Sequence, residues 1–456
     1  MTTLDAEAST GGLGQPARSL AISAVLIAFN LSTLMVSIAN VALPTIAKDL
    51  GIQPADAIWI ITIYQLAVIA FLLPISSLAD IIGYRPIYLA GLFVFVCGSA
   101  VCGMSGWFET VLFGRFLQGL GAAAIQGVYV YSMAHIFPRH LVGQGVGLGT
   151  LTSQITAMLA PTIAGAILLF APWNWLFLLV VPIGIVALGV SQAVLPSAKG
   201  RARKLDIVPV VLNVLSFGML MLGLERVLRS PGKMLWGTVI AMAVLLGAIQ
   251  IWMQRRSATP LIPADLFRNP AFSLTMMTTF FSFAASGVAL VALPFYLQNV
   301  LHFTPQLTGL FLSAWPISAA ASGLVMGWWF RDVSPGRVGA AGLVTMALGL
   351  IALALLPENP SHPWIAICLA AGGLGFGAFV TPNVKAIIMM VPLERSGAAS
   401  GMQGVSRLFG QSLGAIIVAV ALAGAGVDWS MYALSAAATL AVLGAITSAL
   451  RRIAQV

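Results

Sequence analysis

The chain has 456 residues, of which 59% are hydrophobic and only 8% charged, with a formal net charge of +9. Water-soluble domains carry about 25% charged residues, so these figures exclude a soluble enzyme core and a large water-exposed receptor domain. The ruler that fits is the bilayer, which takes about 20 apolar residues per helix.

Apolar runs bounded by Pro, Gly and charges mark fourteen expected helices, at roughly 19–43, 54–79, 86–105, 107–133, 142–170, 174–195, 207–226, 234–254, 271–299, 306–330, 338–356, 363–390, 397–424 and 430–450. Residues 1–18 read as a cytoplasmic tail, since they carry Asp5, Glu7 and Arg18 and lack the basic start of a signal peptide. With that tail inside, fifteen Lys and Arg fall in inside segments, four in outside loops and three within spans. This bias follows the positive-inside rule and supports an even helix number with both ends cytoplasmic. It also explains the basic balance without nucleic acid, because the charges sit in short loops between helices. Cys97, Cys102 and Cys368 lie in apolar runs and form no metal or disulfide framework.

Helices seven and eight, joined by the basic loop 226–233, stand apart. Without them, two groups of six remain. The loop Ser76-Ser-Leu-Ala-Asp80-Ile-Ile-Gly83-Tyr-Arg85 and the loop Gly327-Trp-Trp-Phe-Arg331-Asp332-Val-Ser-Pro-Gly336-Arg337 occupy the same place in each group. That is the trace of a parallel internal repeat. The expected organisation is a tail at 1–18, a six-helix half at 19–195, a linker with two extra helices at 196–256, a second six-helix half at 257–450 and a tail at 451–456.

At these loops the chain resembles the major facilitator superfamily, and within it the fourteen-helix drug:proton antiporters. In the loop 2–3 signature Leu78, Ala79, Asp80, Gly83 and Arg85 match, while Ser76, Ile81 and Tyr84 depart. Arg115, Gln118, Gly119, Gly121 and Ala122 match the fourth-helix signature. In the fifth helix Pro161 and Gly165 are kept where Ala160 and Ala164 replace glycines, and Leu34, Ile38 and Asn40 to Pro44 match the first-helix signature. The resemblance implies an all-α integral membrane protein of two pseudo-symmetric six-helix bundles plus an inserted hairpin. It implies a multi-pass inner- or plasma-membrane transporter working by alternating access, which exports small amphipathic compounds and draws on the proton gradient. The first-helix carboxylate that the family ties to proton coupling is here Met35, which cannot titrate.

Candidate gating residues are Asp80, Gly83 and Arg85 with their repeat counterparts Arg331 and Asp332. Asp80 reads as a latch paired with Arg85 or a neighbouring cation and facing the start of helix 13 near Gly397, or as a solvated loop charge. Pro161 and Gly165 read as a bending point or a static kink. Arg115 must face a polar cavity or an internal partner, since a membrane-buried arginine costs from about 3 to more than 10 kcal/mol. With Gln118 on the same face it reads either as a substrate or coupling contact or as a hydrogen-bond anchor to helix-1 or helix-5 backbone. Gln403, Arg407 and Gln411 form a polar stripe on helix 13 that lines the cavity or packs between helices. Met35, Tyr64, Gln65, Tyr129, Met158 and Trp315 are candidates for an adaptable pocket, or for bundle interior. Asp56, Glu109 and Glu225 are the possible proton sites, all near outer helix ends.

A cavity holding Arg115 and Arg407 without a central acid would be net positive and would suit neutral or anionic amphipaths. No phosphate loop is present: Gly143 to Gly149 and Gly372 to Gly377 lack the following Gly-Lys-Ser/Thr, which argues against ATP as energy source. No metal or other cofactor is expected. The oligomeric state stays open, with a monomer favoured. A facilitator or importer of a metabolite or organic anion is the alternative function, and a transport-dead sensor or scaffold a further one.

Overall fold

The computed structural model describes residues 13–138, 142–197, 207–229, 232–254, 266–329, 333–357, 360–391, 396–424 and 426–451. Every described element is helical. We number them by expected span: α1 (Ala17–Asp49), α2 (Pro54–Ile82), α3 (Tyr84–Met104), α4 (Phe108–Gly127 with Tyr129–Ile136), α5 (Val142–Phe170), α6 (Trp175–Val194), α7 (Ile207–Arg229) and α8 (Lys233–Gln254). There follow α9 (Pro270–Val300), α10 (Pro305–Leu312 with Ala314–Trp329), α11 (Pro335–Ala354), α12 (His362–Met389), α13 (Ser396–Gly424) and α14 (Trp429–Leu450).

Each of the fourteen stretches is helical, but twelve are long and apolar enough by themselves to cross a membrane. α4 is a thirteenth if its two pieces, bent by 40° at Val128, count as one span. In α5, the described apolar stretch is the shorter Leu159–Phe170.

Helix ends follow local chemistry. Pro54, Pro270, Pro305 and Pro335 open their helices, where the missing N–H costs nothing. Asn269 caps α9 by accepting from the Ala271 N–H at 2.9 Å. Gly83 separates α2 from α3 with φ 103° and ψ 151°, a backbone conformation open in practice to glycine alone.

The two halves are built on the same plan. In the first, α4 presses a glycine face on its neighbours: a Cβ at Gly119 would stand 2.6 Å from the Tyr64 carbonyl oxygen of α2, and one at Gly121 2.5 Å from the Phe95 nitrogen of α3. In the second, α12 does the same against α10 and α11. A Cβ at Gly377 would fall on the Ala319 carbonyl, and one at Gly342 of α11 would stand 2.7 Å from the Gly375 carbonyl. Small residues let backbones approach where lipid supplies no hydrophobic drive for helix association. The glycines of α4 and the run Gly372 to Gly377 of α12 are therefore packing devices; for the α12 run the lack of a phosphate-loop context indicated the same.

Large apolar side chains point outward over the whole bundle, among them Phe93, Phe170, Met234, Leu245 and Leu348. A surface of that kind is matched to lipid tails. The first and last described residues, Leu13 beside Ile136 and Arg451 beside Thr275, lie at one end of the helix stack, called here the termini end.

Replacing Gly83 by Val forces a β-branched side chain into its backbone region and should cost on the order of 1–3 kcal/mol. A lower melting temperature in detergent, with Gly106→Val as the unstrained control (nothing stands within 4 Å of its Cβ position), checks this. Equal melting of the two variants would contradict it.

Candidate functional site at the seam between the halves

The halves meet along a seam, and most of its described hydrogen bonds gather at the end opposite the termini. Gln298 at the end of α9 donates to the Val41 carbonyl of α1 at 3.1 Å and accepts from the Thr45 hydroxyl at 3.4 Å. On the far flank, Gln306 of α10 donates to the Leu168 carbonyl of α5 at 3.2 Å, and the Thr162 and Ser313 hydroxyls are hydrogen-bonded. α5 and α10 touch backbone to backbone there. A Cβ at Gly165 would stand 3.2 Å from Gln306 Cα, and one at Gly309 would fall on the Pro161 carbonyl oxygen. The helix runs unbroken through Pro161, so the pair expected as a bending point sits instead at a cross-seam contact.

Midway along the seam, Ser412 of α13 donates to Gln65 of α2 at 3.1 Å. Beside it, the ring of Tyr64 carries the Arg115 guanidinium 4.3 Å from its centroid. Arg407 of α13, half-buried, lies close enough for its charge to act on the same tyrosine. Tyr64 thus feels the charge of an arginine from each half. Gln403 and Gln411, one turn either side of Arg407, are also half-buried, and the Gln411 backbone packs on Gly287 of α9.

Arg115 does not line a cavity. It is fully buried, donates from Nε to the Ile60 carbonyl at 2.8 Å and from Nη1 to Gln118 Oε1 at 2.5 Å, and packs against Phe177 as well as Tyr64. Gln118 in turn donates to Ser99 at 2.7 Å. The physical reason is the cost of an unsolvated charge in the membrane, offset here by backbone, amide and aromatic faces within one half, with Nη2 left without a hydrogen-bond partner. The anchor runs to α2, not to the helix-1 or helix-5 backbone expected as one reading. Of the two arginines expected to make a cavity positive, Arg407 is the one at the seam.

Met35 is fully buried within the first half. Tyr129 stacks on Phe29 at 4.4 Å and donates to the Gly145 carbonyl at 2.9 Å. Trp315 packs against Gly372 and Gly373 of α12. Met35 lies in the apolar core, and Tyr129 and Trp315 fill helix interfaces within a half, as aromatic side chains do in bundles. The side chains of Met158 and Glu225, and all of Arg331 and Asp332, lie outside the described residues.

At the termini end, Arg85 donates to Ser197 at 2.7 Å and to the Gln192 carbonyl at 2.6 Å, and Tyr84 donates to the Pro196 carbonyl at 2.7 Å. The start of α3 is thereby moored to the end of α6. Asp80 is exposed and makes no ion pair among the described residues, and Arg85 serves those carbonyl and hydroxyl acceptors; the side chains at the start of α13 near Gly397, the other partner expected for Asp80, lie outside the described residues. The carbonyls at a helix C-terminus are its negative end, and they attract the guanidinium.

Sequence reasoning missed a second buried arginine, Arg451 at the end of α14. It donates to Asn383 at 2.8 Å and to Ser448 at 2.9 Å, while Ser448 donates to the Gly336 carbonyl at 3.0 Å. This ties the start of α11 to the end of α14, as Arg85 ties α3 to α6. The signal was available: a serine three residues before an arginine at the edge of a span.

Among the described residues every carboxylate sits at a helix end: Asp49, Asp56, Asp80, Glu109 and Asp428. Asp56 is half-buried, and its short turn packs on both α1 and α13, across the seam. Glu109 is exposed in the first turn of α4.

Two outcomes follow from this geometry. Arg115→Met orphans Gln118, at about 1–3 kcal/mol per buried unsatisfied group. It should lower the melting temperature and leave the relative transport rates of different substrates unchanged; an altered substrate profile in a stably folded variant would instead put Arg115 in the path. Gly309→Trp wedges α10 away from α5. A thiol introduced at Thr162 should then react with a membrane-impermeant maleimide at least about tenfold faster, corresponding to roughly 1.4 kcal/mol lost from the closed state.

The family model described as Major Facilitator Superfamily matches residues 25–274 and 275–454. "Uncharacterized transporter YebQ" of Escherichia coli K12 is 41% identical over 442 residues, covering 96% of this chain and 97% of that protein. "Multidrug resistance protein Stp" of Mycobacterium tuberculosis H37Rv is 31% identical over 85% of this chain and 72% of its own length. "Riboflavin transporter RibZ" of Clostridioides difficile is 27% identical over 84% of each chain. Among solved structures, a peptide transporter of the POT family superposes with a TM-score of 0.74 at 15% identity, covering 100% of this chain and 99% of that one. The human organic anion transporter MFSD10 gives 0.62 at 13% identity, covering 95% and 100%. The glycine-zippered halves, the seam between them and these matches identify the chain as a transporter of the major facilitator superfamily.

Proposed function

We propose that this protein exports small amphipathic compounds from the cytoplasm by alternating access, driven by the proton gradient. In this reading the chain crosses the bacterial plasma membrane fourteen times with both ends cytoplasmic. The observation that supports it is the seam itself. Its closure opposite the termini uses neutral hydrogen bonds and glycine contacts, which break and re-form without exposing a charge to lipid. The structure is then the state shut to the outside. Export of drug-like compounds draws on the likeness to relatives named for multidrug resistance.

With Met35 in the first helix, proton coupling needs another acid. Asp56 is the one whose helix turn spans the seam, so its protonation would be sensed by both halves at the outer side. Arg407 beside Tyr64 gives the middle of the seam a positive character and favours neutral or anionic amphipaths over cations.

The test is counterflow in proteoliposomes with ethidium as cation, riboflavin as neutral probe and fluorescein as anion, with and without an imposed pH gradient. The gradient should accelerate riboflavin and fluorescein efflux. Asp56→Asn should abolish that acceleration while leaving exchange at equal pH within about twofold, and Glu109→Gln should leave both intact. Transport that ignores the gradient in the wild type overturns the coupling. A second reading, uptake of a metabolite, is favoured by the likeness to a protein named as a riboflavin transporter. Riboflavin movement that follows only its own gradient would select it.

A further inference from the structure

The hairpin α7–α8 belongs to neither half, and the repeat does not account for it. α8 packs chiefly on α7, and α7 packs on both α2 and α13, the two helices that face each other across one flank of the seam. The outer faces of both are greasy, with Leu215, Met242, Val244 and Leu245 exposed. Two polar side chains are nonetheless sunk within the hairpin: Asn213 is fully buried and Gln250 nearly so. In a membrane helix such groups are costly unless they find partners.

The partner is specific. α2 contains Pro74, which has no N–H to give the carbonyl four residues back, that of Ala70. Asn213 of α7 donates its Nδ2–H to this carbonyl at 2.7 Å. Gln250 of α8 donates to Asn213 Oδ1 at 3.2 Å and to the Pro209 carbonyl at 3.4 Å, which fixes the asparagine amide with its donor toward α2. The second helix of the hairpin therefore orients the residue by which the first helix holds on. Toward the other half, the described contact is of another kind: the ring of Phe217 meets that of Phe409 of α13 edge-on at 6.0 Å, and Phe409 stacks on Phe280 of α9 at 5.4 Å. Ring edges can slide on one another without leaving a polar group bare.

We infer that the hairpin is a moving side wall, fastened to the first half through the Asn213–Ala70 bond at the proline gap of α2 and sliding on the second half at Phe217 and Phe409. It covers the α2–α13 flank of the seam from lipid while the halves move. Asn213 and Gln250 are positioning residues for this wall. The travelling part rests on the alternating-access reading; the fastening does not.

Spin labels at lipid-facing positions read both parts in nanodiscs, after Cys97, Cys102 and Cys368 are changed to serine. The pairs are Leu245→Cys with Phe93→Cys (hairpin to first half), Leu245→Cys with Leu348→Cys (hairpin to second half) and Phe93→Cys with Leu348→Cys (half to half). When Gly309→Trp wedges the outer closure, the hairpin-to-second-half and half-to-half distances should shift beyond their wild-type widths. The hairpin-to-first-half distance should hold. Should that variant not fold, Gly165→Trp wedges the same contact. A hairpin that keeps its distance to the second half and shifts from the first overturns the proposal. Independently of any motion, Asn213→Leu should broaden the hairpin-to-first-half distribution at least twofold. If the half-to-half distance never shifts, alternating access fails. The fastening is then judged by Asn213→Leu alone, and an unbroadened distribution overturns it.

Discussion

A polar group inside a bilayer has no water to fall back on, and this one constraint organises the molecule. Arg115 shows it most clearly. Its guanidinium is fully buried and is held by the Ile60 carbonyl, Gln118 and the face of Tyr64. Each of those groups belongs to the first half, so the charge welds α2 and α4 into one body. Arg451 does the same for the second half through Asn383 and Ser448. Rigid halves are what allow motion to concentrate at the seam.

The seam is built from weaker material. No charge pair bridges it among the described residues; amides, hydroxyls and backbone glycine contacts do. An interhelical hydrogen bond in membranes is worth on average about 0.6 kcal/mol, so four or five of them leave two states within a few kcal/mol of each other. A gradient can bias an equilibrium so balanced, because a ligand or proton shifts states only by its differential affinity for them. The contrast is between halves held by buried arginines and a seam bridged by uncharged hydrogen-bonding groups.

The proline in α2 adds a variation on the same constraint. Pro74 leaves one carbonyl bare, and a helix from outside the repeat supplies the donor.

Fourteen apolar stretches, the repeat of the loop signature and the buried arginine of helix four were legible from residue order alone. Hydropathy and charge bias are one-dimensional consequences of the bilayer, and each stretch did form helix. What residue order left open was direction around each helix axis. Arg115 and Arg407 are both single arginines in apolar helices, yet Arg115 is sealed inside its own half by the Ile60 carbonyl, Gln118 and the Tyr64 ring, while Arg407 stays half-buried on α13. Pro161 and Gly165 read as a bending point or a static kink, and their contact with Gly309 was not legible because it lies more than a hundred residues away in sequence. Arg85 was one of several partners open to Asp80, and only the structure shows that it holds the end of α6. Sequence by itself determined which segments form apolar helices and that they repeat as two like halves. Only the tertiary structure decided which polar side chains bind a half together and which face the joint, because that depends on helix rotation and on partners remote along the chain.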